Sequence, residues 1–272
     1  MDLGLKGKSA FIAGGGRGIG KAIALSLAAE GVNIAIAART LSELESTADE
    51  IQDKTGSKVI PLEFDVTDNA QVVDTMKQAT LKLGNLNVLV NSASLPVGSP
   101  SAIGPIETVD ENALLKDFEI KYVGALRCSR AAIPYLKQEK WGRIINISGM
   151  NARKAGNLSG GARNTSMVHL TKTLAMQLGQ YGITVNCIHP GVTRTERTTG
   201  LMDQRAKELK ISPEKVEELD YATNSSSGNF IGRMVEASEI AHIATFLCSD
   251  KAWAITGELV GADGGTGDSV YY

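Results

Sequence analysis

The chain has 272 residues, enough to bury a full hydrophobic core, and 21% of them are charged. The formal net charge of −2 excludes the strongly basic surface that nucleic-acid binding requires. No apolar run has the length of a membrane span, and the N-terminus lacks the basic-then-apolar layout of a signal peptide. The three cysteines, Cys128, Cys187 and Cys248, lie far apart without metal-ligand spacing. We therefore expect a cytoplasmic protein with reduced thiols and no metal site, which binds neither nucleic acid nor membranes.

Apolar, β-branched segments alternate with amphipathic helical segments along most of the chain. Strands are predicted at residues 9–13, 32–38, 58–62, 87–90, 143–147, 183–188 and 258–260. Helices are predicted at residues 18–30, 41–54, 69–83, 111–137, 160–181 and 237–249. Such alternation predicts right-handed βαβ units around a buried parallel sheet. The predicted fold class is α/β, a doubly wound Rossmann-type sheet of about seven strands with helices on both faces, formed as one domain over residues 1–272.

One segment, residues 194–230, departs from this alternation because it is polar and charged and ends in Ser-Ser-Ser-Gly. An insertion at the carboxyl edge of a late strand borders the crevice in which such sheets bind ligands. We expect a substrate lid, and a surface excursion without a role in binding is the alternative.

A glycine-rich turn follows the first strand directly and leads into the first helix. Glycine allows positive φ angles and lets the backbone approach a diphosphate, whose charge then lies at the helix N-terminus. A glycine turn between a strand and a helix is typical of dinucleotide binding. The turn residues predicted to bind a cofactor are Gly14, Gly16, Arg17, Gly18, Ile19 and Gly20.

The Gly-x-x-x-Gly-Ile-Gly spacing of this turn resembles the short-chain dehydrogenase/reductase family. Further matches run to about residue 265: they include Phe64-Asp65-Val66, Asn91-Ser92-Ala93-Ser94, the segment from Trp141 to Ser148, and Pro190-Gly191-Val192-Thr193-Arg194-Thr195. The resemblance implies a nicotinamide cofactor, a small-molecule substrate, and pairing of subunits into a homodimer or homotetramer through helices 111–137 and 160–181. It adds these residues to the cofactor site: Asp65, Val66, Asn91, Ala93, Pro190, Gly191, Thr193 and Thr195.

The charges near the second strand indicate which nicotinamide cofactor is preferred. A site that prefers NAD places a carboxylate at the end of this strand, where it accepts the ribose hydroxyls. Here that position is Ala38, followed by Arg39, and Arg17 lies in the glycine turn. Two guanidinium groups suit a 2′-phosphate, so NADP(H) is the preferred cofactor and NAD(H) the alternative.

The resemblance fails at the proton relay. The family uses a Tyr, a Lys four residues later, a Ser, and an Asn on the preceding helix. In this sequence the Tyr position is Gly160, the Lys position is Asn164, and the Asn position is Lys121. Either Ser148 or Gly149 occupies the Ser position.

Lysine and asparagine are thus exchanged between the two central helices. We hypothesise that the Lys121 ammonium reaches into space vacated by the Tyr, where burial lowers its pKa and makes it an acid or base near neutral pH. The alternative is that Lys121 points to solvent or pairs with Asp117 or Glu119. The candidate catalytic residues are Ser148, Lys121 and Asn164.

Other polar residues fall near the predicted pocket. His189 precedes the Pro-Gly segment, where it either acts in the reaction or packs under the turn. Four cations surround the pocket mouth and either select an anionic substrate or form a solvated face or subunit contacts: Arg153, Lys154, Arg163 and Arg194.

Three functions are compatible with these features. The first is an NADP(H)-dependent oxidoreductase that acts on a carbonyl or secondary alcohol through an altered proton relay. The second is a binding protein or pseudoenzyme that holds a dinucleotide without turnover. The third is non-redox chemistry, such as dehydration or isomerisation, on the same scaffold.

Overall fold

The computed structural model describes residues 1–95, 97–225 and 227–268. Its central sheet has seven strands in the order β3-β2-β1-β4-β5-β6-β9, and every neighbouring pair is parallel. The strands are β1 (Ser9–Ala13), β2 (Asn33–Ala38), β3 (Val59–Glu63), β4 (Val88–Asn91), β5 (Gly142–Ile147), β6 (Ile183–Pro190) and β9 (Leu259–Ala262). A separate pair joins β7 (Thr193–Arg194) to β8 (Val235–Glu236). The predicted seven-stranded parallel sheet is confirmed.

Helices cover both faces of this sheet. They are α1 (Gly18–Ala29), α2 (Leu41–Thr55), α3 (Asn69–Leu83), α4 (Glu111–Phe118), α5 (Gly124–Glu139), α6 (Leu158–Leu178), α7 (Glu196–Leu209), α8 (Pro213–Tyr221) and α9 (Ala237–Cys248). One apolar core joins the sheet to α1, α2 and α9, and a second joins it to α3, α5 and α6. Successive residues of β1, such as Phe11 and Ile12, enter different cores because side chains alternate along a strand. Within the described ranges, no helix is both long and apolar enough to cross a bilayer.

The predicted single helix over residues 111–137 is wrong in its middle. The structure divides it into α4 and α5, joined by a π-helical turn at Glu119–Val123. A π turn accommodates one extra residue, which rotates the following helical face by about 100°. The helix therefore buries different stripes before and after the turn, and the turn itself buries Lys121.

The insertion after β7 is helical rather than irregular. Helices α7 and α8 pack on each other around a small core of their own, formed by Met202, Ala206, Val216, Tyr221 and Met234. Ser212 accepts a hydrogen bond from the Lys215 backbone amide and caps α8, whose first residue is Pro213. The β7–β8 pair closes the base of the insertion beside the carboxyl end of β6.

Candidate functional site: a dinucleotide turn and a buried lysine

The glycine-rich turn lies between β1 and α1, where the strand order reverses. Gly14 and Gly18 have φ angles of 82° and 56°, which favour glycine. A side chain at Gly20 would collide with the Gly14 carbonyl oxygen, and a Cβ at Gly14 would lie 2.8 Å from the Ala93 backbone nitrogen. The turn therefore requires glycine at these positions and presents the N-terminus of α1 at the surface.

An anion already lies at this N-terminus. The Gly18 amide donates a hydrogen bond of 3.1 Å to Oε2 of Glu196, the first residue of α7. Helix N-termini attract negative charge because their amides lack partners within the helix. The start of α1 therefore accepts negative charge, as the binding of a dinucleotide diphosphate would require.

The residues around the turn carry exposed positive charge. The Arg17 side chain is 69% exposed and lies 3.8 Å from Glu43 Oε1, and Arg39 is exposed just beyond the end of β2. The Thr47 hydroxyl donates to the Gly16 carbonyl at 2.7 Å and ties α2 to the turn. Both arginine side chains are thus exposed at the carboxyl edge of the sheet.

The other predicted cofactor residues line the same carboxyl edge. Asp65 accepts hydrogen bonds from the backbone and hydroxyl of Thr67, both at 2.8 Å, which shapes the turn that buries Val66. Asn91 is buried and donates to Asn146 Oδ1 at 2.8 Å. Asn91 therefore holds β4 to β5 through its side chain.

The Pro-Gly segment continues directly from β6. Pro190 is the last residue of β6, and the Gly191 amide bonds to the Ala262 carbonyl at 2.9 Å. The Thr193 hydroxyl donates to the Gly191 carbonyl at 2.9 Å, and Thr195 starts the α7 capping interaction. This segment runs from the central sheet to the insertion and passes the glycine turn, since a Cβ at Gly18 would lie 3.4 Å from Thr195 Cγ2.

Lys121 is buried and reaches the carboxyl end of β5. Its Nζ donates a hydrogen bond of 2.9 Å to the Ser148 carbonyl oxygen, and the residue is 7% exposed. Burial lowers the pKa of Lys121 to about 7, and the nearby positive charge of Arg163 adds to this effect. The alternative that Lys121 is solvated or paired with Asp117 or Glu119 is wrong, because the ammonium is directed to a backbone carbonyl instead.

Asn164 lies beside Ser148 and Gly149. The Ser148 hydroxyl donates to the Asn164 backbone carbonyl at 2.8 Å, and a Cβ at Gly149 would lie 3.0 Å from Asn164 Nδ2. The amide of Asn164 therefore lies where a side chain at residue 149 would begin. Its Oδ1 is buried without a hydrogen-bond partner among the described residues. The structure thus brings together Lys121, Ser148 and Asn164, the three candidate catalytic residues.

Part of the space that a Tyr at residue 160 would need is filled. A Cβ at Gly160 would lie 2.6 Å from Asn151 Nδ2 and 2.9 Å from Asn157 Cγ. Asn157 caps α6 by accepting a hydrogen bond from the Gly160 amide at 2.7 Å. The position of residue 160 is therefore closed near the backbone by two asparagines.

A buried polar cluster supports the site from the side of α4. Asp117 accepts hydrogen bonds from the Ser99 hydroxyl at 2.7 Å and the Ser159 hydroxyl at 2.6 Å. Burial raises the pKa of Asp117, but these bonds outweigh it and hold the pKa below its usual value. Arg163 is 3% exposed and donates to the Leu95 carbonyl at 3.0 Å. Arg163 is therefore not part of a solvated face.

His189 lies near the end of β6 and is completely buried. Cys187, two residues earlier, faces Thr171 and Ser148, and strand alternation directs His189 to the same side. Neither ring nitrogen has a hydrogen-bond partner among the residues that the structure describes. Burial lowers the pKa of His189 to about 4, with the charges of Arg153 and Lys121 adding to the shift. The imidazole is neutral at physiological pH.

Comparison with known proteins decides the family. The sequence model of the family described as enoyl-(acyl carrier protein) reductase matches residues 13–267. The chain is a short-chain dehydrogenase/reductase. Among the relatives of this dehydrogenase/reductase is the NADPH-dependent reductase BacG of Bacillus subtilis, 32% identical over 97% of this chain and 99% of the relative. Another is the (S)-acetoin-forming diacetyl reductase of Staphylococcus epidermidis, 32% identical over 95% of this chain and 98% of the relative.

Solved structures agree with this assignment. The crystal structure of L-sorbose reductase from Gluconobacter frateurii, complexed with NADPH and L-sorbose, superposes with a TM-score of 0.91. It is 26% identical and the match covers 99% of this chain and 100% of the reductase. The short-chain dehydrogenase/reductase fold therefore extends over nearly all of both chains.

Sequence reasoning did not find every polar residue of the site. The contacts of Asp117 with Ser99 and Ser159, and of Asn151 with Gly160, form between segments that are distant along the chain or joined by a loop. Periodicity carries no signal for such contacts.

Proposed function

We propose that this protein is an NADP(H)-dependent oxidoreductase that interconverts a carbonyl and a secondary alcohol, with Lys121 as its proton donor and acceptor. The observation that carries the proposal is the buried Lys121 ammonium on the Ser148 carbonyl, beside the carboxyl ends of β4, β5 and β6. A lysine in this environment is available in both protonation states near neutral pH.

The glycine turn, the Pro-Gly segment and the two exposed arginines support cofactor binding. Gly14, Gly18 and Gly20 would hold the diphosphate, and Arg17 and Arg39 would hold the 2′-phosphate. The NADPH-dependent relative and the NADPH-bound neighbour support the same choice of cofactor. When bound, NADPH supplies the hydride, and the protein supplies orientation and the proton.

The proton travels from Lys121 to the carbonyl oxygen. The ammonium has three N–H donors and uses one of them on Ser148, so others are available to a substrate. During reduction Lys121 gives up its proton as negative charge develops on the oxygen, and it recovers a proton from solvent. During oxidation the neutral amine accepts the alcohol proton.

Asn164 and Ser148 have different tasks in this arrangement. The Asn164 amide lies over Gly149 and donates a hydrogen bond that polarises the carbonyl, in place of a serine hydroxyl. The Ser148 hydroxyl is already engaged with the Asn164 backbone. Ser148 therefore positions both partners, because its hydroxyl holds Asn164 and its carbonyl holds Lys121.

Three further features of the proposal concern the substrate and the assembly. The insertion over residues 194–230 acts as the lid, since it starts beside the turn and carries its own core. The substrate is a small molecule held between this lid and the carboxyl edge of the sheet. Helices α4 to α6 pair subunits into a homodimer or homotetramer.

A second function is favoured by one specific observation. The Lys121 ammonium and the Ser148 hydroxyl both bind backbone carbonyls, as they would in a dinucleotide-binding protein without turnover. This candidate shares the cofactor site and differs only in chemistry. Turnover distinguishes the two functions directly.

The test combines binding with turnover. NADPH and NADH affinities are measured by fluorescence titration, and a panel of aldehydes, ketones and oxo acids is screened through nicotinamide absorbance. We expect tighter NADPH binding and turnover of at least one carbonyl compound. Lys121→Met should lower kcat by roughly a hundredfold or more at unchanged NADPH affinity, and the exposed Lys77→Met should change neither. Undiminished turnover in Lys121→Met contradicts the proposed role of Lys121, and NADPH binding without any turnover supports the second function.

A further inference from the structure

The Glu196 carboxylate occupies an unusual position for a lid residue. It lies 3.1 Å from the Gly18 amide, and it begins α7 as Gly18 begins α1. The same carboxylate is therefore attracted by the N-terminal partial charges of two helices. This contact joins the insertion to the glycine turn across 178 residues of sequence.

The Gly18 amide and the exposed Glu196 carboxylate meet where α7 begins. Gly18 has a φ of 56°, and Thr195 packs against it. The start of α7 therefore contacts the glycine turn directly. An amide N–H makes one strong hydrogen bond, so a diphosphate oxygen and the Glu196 carboxylate compete for it.

Charge makes this competition unfavourable to the cofactor. Within the described part of the chain, Glu196 has no lysine or arginine at ion-pair distance. The incoming diphosphate therefore meets a carboxylate whose charge no neighbour neutralises, and like charges held close together repel.

We propose that Glu196 determines cofactor affinity by competing with the cofactor diphosphate for the Gly18 amide. The proposal rests on the dinucleotide binding proposed above. With no cofactor, Glu196 fastens the lid helix to the glycine turn. Cofactor binding displaces the carboxylate and frees the start of α7, which couples the lid to the occupied site.

The experiment compares two ligands in two matched variants. Glu196→Gln keeps the shape of the side chain and removes its charge. Glu208→Gln makes the same charge change at an exposed position of the same helix. Each variant is titrated at low ionic strength with NADPH, which carries the diphosphate, and with adenosine 2′-monophosphate, which lacks it.

We expect Glu196→Gln to bind NADPH about tenfold more tightly than the unsubstituted protein and to bind adenosine 2′-monophosphate equally well. The gain should shrink as salt is added. Glu208→Gln should match the unsubstituted protein with both ligands. Glu196→Ala removes the acceptor together with the charge and should show the same increase in NADPH affinity. It replaces Glu196→Gln in the test if that variant fails to fold.

Other outcomes overturn the inference in distinguishable ways. Equal or weaker NADPH binding by folded Glu196→Gln shows that the carboxylate does not compete. A parallel gain for adenosine 2′-monophosphate shows a general charge effect rather than competition at the diphosphate. If NADPH binds to no form of the protein, the proposed function itself fails, and this inference fails with it.

Discussion

Replacing Lys121 by Met should stabilise the protein while removing its turnover. The lysine lies in the buried π turn between α4 and α5, and among the described residues no carboxylate pairs with its ammonium. Folding therefore removes a positive charge from water with only one hydrogen bond, to the Ser148 carbonyl, in return. Methionine has a similar length and no charge, so it fills the same space without this penalty.

The size of the effect follows from the pKa of Lys121, which falls from 10.5 to about 7 on folding. At roughly 1.4 kcal/mol per pKa unit, this corresponds to a penalty of about 5 kcal/mol, which is an upper bound. The lost bond leaves the Ser148 carbonyl unsatisfied at a cost of about 1–3 kcal/mol. Lys121→Met should therefore raise the free energy of unfolding by roughly 2–4 kcal/mol at a pH where the lysine is charged in the folded protein.

The difference in stability between Lys121→Met and the unsubstituted protein depends on pH. Below pH 7 both folded and unfolded chains hold the proton, and the full penalty destabilises the unsubstituted protein. Between about pH 7 and pH 10.5 the unfolded chain binds more protons than the folded one, so the stability of the unsubstituted protein rises with pH. The advantage of Lys121→Met should accordingly be largest near pH 6 and shrink towards pH 10.

Urea unfolding followed by the fluorescence of Trp141 and Trp253 measures this difference at several pH values. Lys77→Met, at an exposed site of α3, provides the control and should show no pH-dependent difference. If Lys121→Met is less stable than the unsubstituted protein at pH 6, or if its advantage is the same at pH 6 and pH 9, the lysine does not carry a buried charge and the reasoning is wrong.

Substitutions at three further positions probe the surroundings of the lysine. Asn164→Leu should lower kcat by about tenfold to a hundredfold without changing NADPH affinity, because it removes a donor to the carbonyl oxygen; steady-state kinetics with a binding titration would detect this. Gly160→Tyr should not restore activity, and it should destabilise the fold by about 1–3 kcal/mol in urea unfolding, since a Cβ there would lie 2.6 Å from Asn151 Nδ2. Arg163→Met should raise the pKa of Lys121 by removing a nearby positive charge, and Arg163→Lys should not; the pH dependence of turnover measures both.

The sheet could be predicted from sequence because its strands have a strong local signal. Every residue of β1 and of β6 is buried, and both strands are short, mostly apolar segments rich in Ile, Val, Ala and Phe between turns. The insertion has no such signal: α7 buries only Met202 and Ala206, in a core too small to impose a clear period. The π turn was also missed, because one extra residue within a helix leaves the amphipathic pattern on either side intact.

The site was predictable as a set of positions and not as a set of contacts. Motif spacing was enough to indicate Lys121, Ser148 and Asn164 as candidate positions, because they match the family's proton-relay positions. The sequence could not show that the Ser148 hydroxyl is engaged by the Asn164 backbone, or that Asn151 closes the space over Gly160. These contacts depend on the conformation of the loop after β5, which short-range sequence patterns do not determine.

The pH dependence of kcat/KM for carbonyl reduction at saturating NADPH tests the role of Lys121 most directly. A protonated lysine is required for reduction, so kcat/KM for reduction should fall by tenfold per pH unit above about pH 7. The reverse oxidation requires the neutral amine, so its kcat/KM should rise with pH up to about pH 7 and stay constant above it. Both limbs should disappear from the residual activity of Lys121→Met. Reduction that stays constant to pH 9 in the unsubstituted protein, or a limb near pH 7 that persists in Lys121→Met, would contradict the assignment of the proton to Lys121.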